Sequence, residues 1–150
     1  MNGYPHPVLQ LLQESEVHPT AGLRCCLLGG FRILSGEKSL TAEQIHLRKA
    51  RDLLKLLALA PNHRLHSEQL LEMLWPERVP RAAAHNLSQT LYTLRPKLVE
   101  LDPSARLEFE DECLVLRAGG GFSTDVEDFE QAARSALSHL GPMDSQAAAC

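Results

Sequence analysis

The sequence predicts an α+β domain in which three helices lie among short strands. Apolar residues recur at helical spacing in three stretches, 48–60, 67–75 and 80–101. Short apolar segments bounded by Gly, Pro, Asp and Ser precede and follow these helices, as is typical of antiparallel strands. With 150 residues, 44% of them hydrophobic and 23% charged, the chain has the size and composition of one globular domain with terminal extensions.

The sequence of the N-terminal part of the chain, up to residue 47, predicts a small antiparallel sheet. Residues 1–22 are expected to be a flexible extension, because prolines punctuate them. Leu23–Leu34 has the apolar content of a strand, with a bulge or bend expected at Gly29-Gly30. After a turn, further short strands are expected near Ser39–Leu40 and Gln44–Leu47.

The first helix is predicted over Arg48–Ala60 and ends before Pro61. Arg48, Lys49 and Arg51 crowd its first turn, where the helix dipole favours acids instead. A neighbouring phosphate backbone would explain these cations, and so would ordinary surface charge partly offset by Asp52. The sequence alone favours neither the phosphate interpretation nor the surface-charge interpretation.

The next two helices are predicted to form a helix-turn-helix. Ser67 is expected to cap the second helix, which Pro76 ends. The link Pro76–Pro80 leads directly into a third helix, about residues 80–101, with Pro80 in its first turn. Two helices joined by so short a link are typical of DNA-binding proteins.

The third helix is predicted to have two chemically different faces. Its apolar stripe consists of Ala84, Leu87, Leu91, Leu94, Leu98 and Leu101. The opposite face carries Ala82, His85, Gln89 and Thr93, flanked by Arg81, Asn86, Tyr92 and Lys97. No acid occurs from Arg81 to Val99. Such a face suits a DNA major groove, although a solvated polar face with nothing bound is the alternative.

The C-terminal part predicts a hairpin and a further helix. Arg106–Phe109 and Cys113–Arg117 alternate in hydrophobicity and predict a hairpin, which after a helix-turn-helix is a wing. Thr124 or Asp125 is expected to cap a helix over Asp125–Leu140, which Gly141-Pro142 would end. The predicted organisation is therefore a domain over residues 23–122, followed by a C-terminal helix and tail over residues 123–150.

Composition excludes several functional classes. The chain lacks an apolar run of membrane-spanning length and a basic-then-hydrophobic start, so a cytoplasmic protein is expected. Its four cysteines have no zinc-site spacing, and His63-x-x-His66 lacks a third ligand, so no metal is expected. No nucleophile–base pair or phosphate loop is present, so neither an enzyme nor a cofactor is expected.

Charge is unevenly divided along the chain. Residues 1–99 carry 12 Lys/Arg and 8 Asp/Glu, whereas residues 100–150 carry 3 Lys/Arg and 11 Asp/Glu. The net charge of −4 therefore combines a moderately basic body with an acidic end. This distribution is compatible with a polyanionic partner for the first part only.

Five pieces of the chain, in order and spacing, resemble the N-terminal DNA-binding domain of bacterial transcriptional activators of the antibiotic-regulatory-protein type, whose winged helix is of the OmpR/PhoB kind. The pieces are Leu28-Gly29-Gly30-Phe31-Arg32, Arg48-Lys49-Ala50-Arg51-Asp52-Leu53-Leu54, Leu70-Leu71-Glu72-Met73-Leu74-Trp75-Pro76, Asn86-Leu87-Ser88-Gln89-Thr90-Leu91-Tyr92-Thr93-Leu94-Arg95 and Asp125-Val126-Glu127-Asp128-Phe129-Glu130. They span roughly residues 23–133.

The resemblance implies a winged helix-turn-helix with an N-terminal antiparallel sheet, a three-helix core and a C-terminal β-hairpin wing. It also implies promoter binding, often by copies at direct repeats, which would include a homodimer on such sites. Contact with RNA polymerase is implied through Pro76–Pro80, and the last helix would begin a helical activation domain. Family members often carry Arg where this chain has Ser88, Thr93 and Pro96, and the acidic wing tip is a second departure.

We therefore expect sequence-specific binding of double-stranded DNA, with the third helix in the major groove. Gln89 and His85 are expected at base edges, and Asn86 is a weaker candidate. The phosphate-contact candidates are Arg48, Lys49, Arg81, Lys97, Arg117, Tyr92 and Thr93. Arg95 lies nearer the apolar stripe and is expected to fix the helix to its neighbours. The alternative is a winged helix repurposed for protein–protein interaction, with weak or no DNA binding.

Overall fold

The computed structural model describes residues 22–149, which form a mixed α+β arrangement of four α-helices and two sheets. The strands are β1 (Leu23–Cys26), β2 (Arg32–Ser35), β3 (Lys38–Thr41), β4 (Arg64–His66), β5 (Arg106–Glu110), β6 (Cys113–Arg117) and β7 (Phe122–Thr124). The helices are α1 (Arg48–Leu59), α2 (Ser67–Leu74), α3 (Pro80–Leu101) and α4 (Asp125–Ala149). The expected flexible extension, apart from Gly22, lies outside the described residues.

The first sheet has the strand order β3-β2-β1-β7. The single strand expected over Leu23–Leu34 is wrong, because β1 and β2 are separate antiparallel strands. Between them Gly29 and Gly30 have φ of 83° and 139°, values that glycine adopts at little cost, so the pair reverses the chain instead of bulging it. The sheet is also not purely antiparallel, since β7 pairs in parallel with β1.

The strand expected at Gln44–Leu47 is also wrong. Residues Ala42–Gln44 form a turn of 3₁₀ helix instead. The Gln44 side chain accepts a hydrogen bond from the Thr41 backbone N–H at 2.8 Å, and Arg51 donates to the carbonyls of Ala42 and Ile45. These side-chain bonds satisfy the backbone locally, which removes the need for a strand partner.

The three central helices have nearly the predicted bounds and share one core. Leucines of α1, α2 and α3 pack together with β1 and with the strands after α3. The cap of α2 differs from the prediction, since His66 Nδ1 accepts from the Glu68 N–H at 3.2 Å and Ser67 is the first helical residue. Within α3 the buried alanine is Ala83 rather than the predicted Ala84, which is exposed.

The second sheet has the order β4-β6-β5 and contains the predicted hairpin. A two-residue turn joins its strands, with Asp111 and Glu112 at φ of 50° and 64°. Turns of this left-handed kind match the twist of a hairpin. The strand β4, between α1 and α2, pairs with β6 and ties the hairpin to the helical core.

The last helix begins as predicted but extends farther. Thr124 caps α4, because its hydroxyl accepts from the Glu127 N–H at 3.0 Å. The expectation that Gly141-Pro142 ends the helix is wrong, since α4 runs to Ala149. Alanine, the best helix former, follows these breakers and favours continuation. Among the described residues no helix is long and apolar enough to span a membrane.

Candidate nucleic-acid interface

The orientation of α3 is set by the leucines beneath it. Leu87, Leu91, Leu94 and Leu98 are all less than 5% exposed and belong to the shared core. They recur at spacings of four and three, so they lie along one side of the helix. Because this side is packed against the core, the opposite side of α3 must face outward.

The outward side presents Arg81, His85, Gln89 and Tyr92, all of them exposed. Tyr92 is 79% exposed, which is extreme for a tyrosine. Among the side chains that the structure describes, those of residues 22–140, none forms a hydrogen bond or ion pair with these four side chains, so their donors face solvent. The surface combines a guanidinium, an imidazole, an amide and a phenol with no acid on the same stretch of helix.

Three other predicted contact residues lie at the border of this surface. Asn86, Thr93 and Lys97 are half-buried rather than fully exposed. The Thr93 hydroxyl donates to the Gln89 carbonyl at 3.1 Å, so it is already satisfied. Lys97 lines an open groove of about 540 Å³ together with Lys38 and other residues of the first sheet's edge. These residues therefore flank the outward side and are not at its centre.

Arg95 connects α3 to the hairpin, as the sequence predicted. Its Nε donates to the Leu107 carbonyl in β5 at 2.9 Å. The bond fixes the hairpin beside the helix, and it leaves His85 and Gln89 uncovered.

The cations at the start of α1 have three different environments. Lys49 donates to the Leu74 carbonyl, the last residue of α2, and thereby joins the two helices. Arg51 holds the 3₁₀ turn described above. Arg48 is exposed, and no partner for it occurs among the described side chains of residues 22–140. Two of the three cations thus have structural contacts that neither sequence interpretation considered.

The hairpin carries less free positive charge than its sequence suggests. Arg117 pairs with Glu110 at 2.6 Å between Nη2 and Oε2, although its side chain remains 60% exposed. Asp111 and Glu112 at the tip are exposed acids. The tip of the hairpin is therefore anionic, as its sequence indicated.

An exposed cation close to α3 was missed by the predicted set of contact residues. Arg78 lies in the link between α2 and α3, and within the described residues its guanidinium has no partner. It precedes the N-terminal end of the outward side of α3 by one turn of chain. A positive charge inside the short link between two helices was the sequence signal that could have identified it.

Three side chains with shifted pKa values, Arg24, Cys25 and Asp125, lie in β1 and at the start of α4 and not on the outward side of α3. Burial acts to raise the pKa of Asp125, but N–H groups of Leu27 and Leu28, at 2.9 and 3.0 Å from its oxygens, outweigh burial and lower it. A hydrogen bond to Asp128 raises the pKa of Arg24. Burial raises the pKa of the Cys25 thiol to about 12, so this cysteine is an unreactive core residue.

The two histidines considered for metal binding have separate partners. His63 Nε2 lies 3.3 Å from Glu127, and His66 Nε2 lies 3.3 Å from Glu112. Among the described side chains, those of residues 22–140, no group of three or more His, Cys, Asp or Glu is arranged to hold a metal ion.

Comparisons of the chain with protein-family models, with curated proteins and with solved structures found no match. Its function is therefore inferred from the residues and contacts described above.

Proposed function

We propose that this chain is the winged helix-turn-helix DNA-binding domain of a bacterial transcriptional regulator, with α3 as its recognition helix in the major groove. The observation that carries the proposal is the outward side of α3. It is exposed, free of acids from Arg81 to Val99, rich in donors, and held rigidly by the leucines beneath it. A major groove admits one such helix and presents hydrogen-bonding groups to it.

The order of elements supports this assignment. The link between α2 and α3 is only five residues long, from Trp75 to Val79, which suits a helix-turn-helix. The hairpin of β5 and β6 follows α3 and is fixed beside it by Arg95. A hairpin in this position can reach the DNA backbone next to the groove that the helix enters, as a wing does.

Base contacts are assigned to the centre of the outward side. The Gln89 amide can pair with adenine through two hydrogen bonds, and the His85 imidazole can donate to guanine. Both side chains are exposed, so neither must leave a protein partner in order to bind. Asn86 remains the weaker candidate because it is half-buried on the flank.

Phosphate contacts are assigned first to Arg48, Arg81 and Lys97, whose charges have no partner among the described side chains of residues 22–140. Tyr92 would add a hydroxyl contact, and Thr93 would do so only by releasing the Gln89 carbonyl to which its hydroxyl donates. Lys49 can donate to a phosphate while it holds the Leu74 carbonyl, since an ammonium has three donors. Arg117 would share its guanidinium between Glu110 and a phosphate. Three unshared cations imply that the logarithm of the DNA-binding constant falls with the logarithm of salt concentration with a slope of about −2.7, which we call the salt slope. A fourfold rise in salt then lowers the affinity roughly 40-fold.

Partners implied by the resemblance belong to the same proposal. The link 76–80 would contact RNA polymerase, and its Val79 is 68% exposed beside a groove of about 220 Å³ between α2 and α3. Copies would bind side by side on direct-repeat sites, including as a homodimer, in the cytoplasm.

A second candidate function is a protein-binding winged helix without DNA affinity. Its support is the presence of exposed apolar side chains on α3 and on the strand β5 that follows it. Val99 and Phe109 are 44% and 47% exposed, and Tyr92 also contributes an aromatic ring. Apolar groups of this kind favour a protein surface over a phosphate backbone.

Titration with a random DNA duplex separates the two functions. We expect the wild-type chain to bind at about 50 mM KCl and to lose roughly 40-fold in affinity at about 200 mM, measured by fluorescence anisotropy over protein concentrations from about 0.1 to 100 µM. Arg81→Gln should weaken binding and reduce the salt slope by about 1. Arg134→Gln, which removes the same charge from α4, should change neither quantity. Absence of binding at the lower salt would reject DNA binding and favour the protein partner.

A further inference from the structure

The last helix, α4, is attached to the domain at its beginning. The strand β7 ends at Thr124 and α4 begins at Asp125, so no link residue separates them. From Glu127 to Leu140 every residue except the half-buried Ala133 is exposed. Among the side chains that the structure describes, those that can set the direction of this helix therefore lie in and around its first turn.

Two acids in the first turn of α4 hold it to the first sheet. The Asp125 carboxylate accepts hydrogen bonds from the N–H groups of Leu27 and Leu28, at 2.9 and 3.0 Å, directly after β1 ends. Asp128 contacts Arg24 within β1, at 2.6 Å between Oδ2 and Nη2. The two acids are three positions apart and therefore lie on the same side of the helix. This side of α4 is held along β1.

The third acid of the first turn holds α4 from another side. Glu127 is two positions from Asp125, which is about 200° around a helix of 3.6 residues per turn. Its Oε1 lies 3.3 Å from Nε2 of His63, in the segment between α1 and β4. Its Oε2 accepts from the Thr124 N–H at 3.3 Å. A helix held from two sides cannot swing or turn about its axis without breaking one of these contacts.

The contact residue His63 is itself fixed by the elements around it. Its Nδ1 lies 3.3 Å from the Leu57 carbonyl of α1, and its ring packs at an angle against Phe122 of β7, with centroids 4.4 Å apart. The backbone of Asn62 and His63 is left-handed, with φ of 55° and 54°, which costs free energy in residues other than glycine. Such a conformation persists where surrounding contacts fix it, and Glu127 supplies one of these contacts.

We propose that the contacts of Asp125, Glu127 and Asp128, which we call the α4 clamp, hold α4 in one direction relative to the domain and link that direction to the hairpin. The link passes through His63, because β4 begins at the next residue, Arg64, and pairs with β6 of the hairpin. A displacement of α4 therefore acts on His63 first and on β4 next. The α4 clamp does not depend on the proposed DNA contacts of α3.

Residual dipolar couplings of the ¹⁵N-labelled whole chain measure the direction of α4. One alignment tensor should fit the N–H couplings of α1 to α3 and those of residues 126–140 together. Glu127→Ala/Asp128→Ala removes contacts on both sides of α4, so the couplings of residues 126–140 should shrink and lose their fit to that tensor. Glu130→Ala/Gln131→Ala changes two exposed residues nearly one turn later and should leave the fit intact.

The variants separate a loss of direction from a loss of helix. Alanine is the best helix former, and Cα chemical shifts verify that α4 stays helical in each variant. Wild-type couplings of α4 that require a tensor of their own would overturn the proposal. A Glu127→Ala/Asp128→Ala chain that fits the common tensor as well as the wild-type chain would overturn it too.

Hydrogen exchange tests the link to the hairpin. Glu127→Ala releases His63 and should speed exchange about twofold to fivefold at the β4 amides and at Ser67, whose N–H donates to the Glu112 carbonyl at 2.9 Å. Asp128→Ala removes the same charge from the same turn but breaks a contact to β1, so β4 exchange should stay unchanged. Wild-type rates in Glu127→Ala, or equal acceleration in both variants, would refute the link through His63.

Discussion

The orientation of α3 can be tested with two residues that are only two positions apart. Leu94 is fully buried among the leucines of the core, whereas Tyr92 is 79% exposed on the outward side. We expect Leu94→Ala to destabilise the protein strongly and Tyr92→Ala to leave its stability nearly unchanged.

The expected magnitudes follow from burial. Leu94→Ala removes about three methylene-sized groups from the core, so the protein loses about 2.4 kcal/mol of hydrophobic stabilisation. The cavity that remains brings the loss in the free energy of unfolding to about 3 kcal/mol. Tyr92 buries only about a fifth of its surface, so truncation loses about 1 kcal/mol of burial. The better helix propensity of Ala returns about 0.5 kcal/mol, which leaves a net loss of about 0.5 kcal/mol.

Urea unfolding followed by circular dichroism measures both changes. With a slope near 1.5 kcal/mol per molar urea, the midpoint should fall by about 2 M for Leu94→Ala and by about 0.3 M for Tyr92→Ala. Similar losses for the two variants would mean that the Tyr92 side of α3 is packed against the protein. The surface proposed to bind DNA would then not exist.

Three further predictions concern other contacts. Asp125→Asn should lower the free energy of unfolding by about 1 kcal/mol at neutral pH and should flatten the acid side of the stability–pH curve. The pKa of Asp125 is lowered from its ordinary 3.8, so its stabilising contribution is present above pH 3.8 and is lost as pH falls through the lowered pKa. An acid side as steep in the variant as in the wild-type chain would contradict this role of Asp125. With a pKa raised to about 12, the Cys25 thiol should resist iodoacetamide at pH 8 in the folded chain and should react after unfolding. Peptide mass spectrometry measures the modification, and equal rates in the folded and unfolded states would refute the burial of Cys25. Arg95→Gln should lower the thermal midpoint by about 3–5 °C, since it removes the bond to the Leu107 carbonyl, and an unchanged midpoint would mean that this bond does not hold the hairpin.

The parts of the fold that could be predicted from sequence are those with strong local signals. The bounds of α3 follow from Pro80 and from leucines that recur over about four turns. The hairpin follows from two alternating segments around a short acidic turn. In these places the periodicity and the chain breakers specify the same structure as the packing does.

The errors occurred where one local signal had two structural outcomes. Gly29-Gly30 is compatible with a bulge or with a full reversal of the chain, and only the pairing of Cys25 with Ile33 distinguishes them. The strand β7 has three residues and pairs with a strand about a hundred positions upstream, so no window of sequence could show it. The end of α4 was placed too early because Gly141 and Pro142 were weighed without the alanines that follow.

The candidate site was predictable as a surface but not contact by contact. His85 and Gln89 follow from their position opposite the apolar stripe, and both are exposed as expected. That Lys49 holds the Leu74 carbonyl and that Arg117 pairs with Glu110 depends on residues distant in sequence. The charge on such a surface therefore cannot be counted from sequence alone.

The central proposal is that the outward side of α3 selects DNA bases, and its most direct test is selection of bound duplexes from a random pool. The wild-type chain should enrich a defined sequence. Gln89→Ala should relax the preference at a single adenine-containing position, while Lys97→Ala should weaken binding to all sequences alike. No enrichment by the wild-type chain, or the same enriched sequence from Gln89→Ala, would contradict this role of α3.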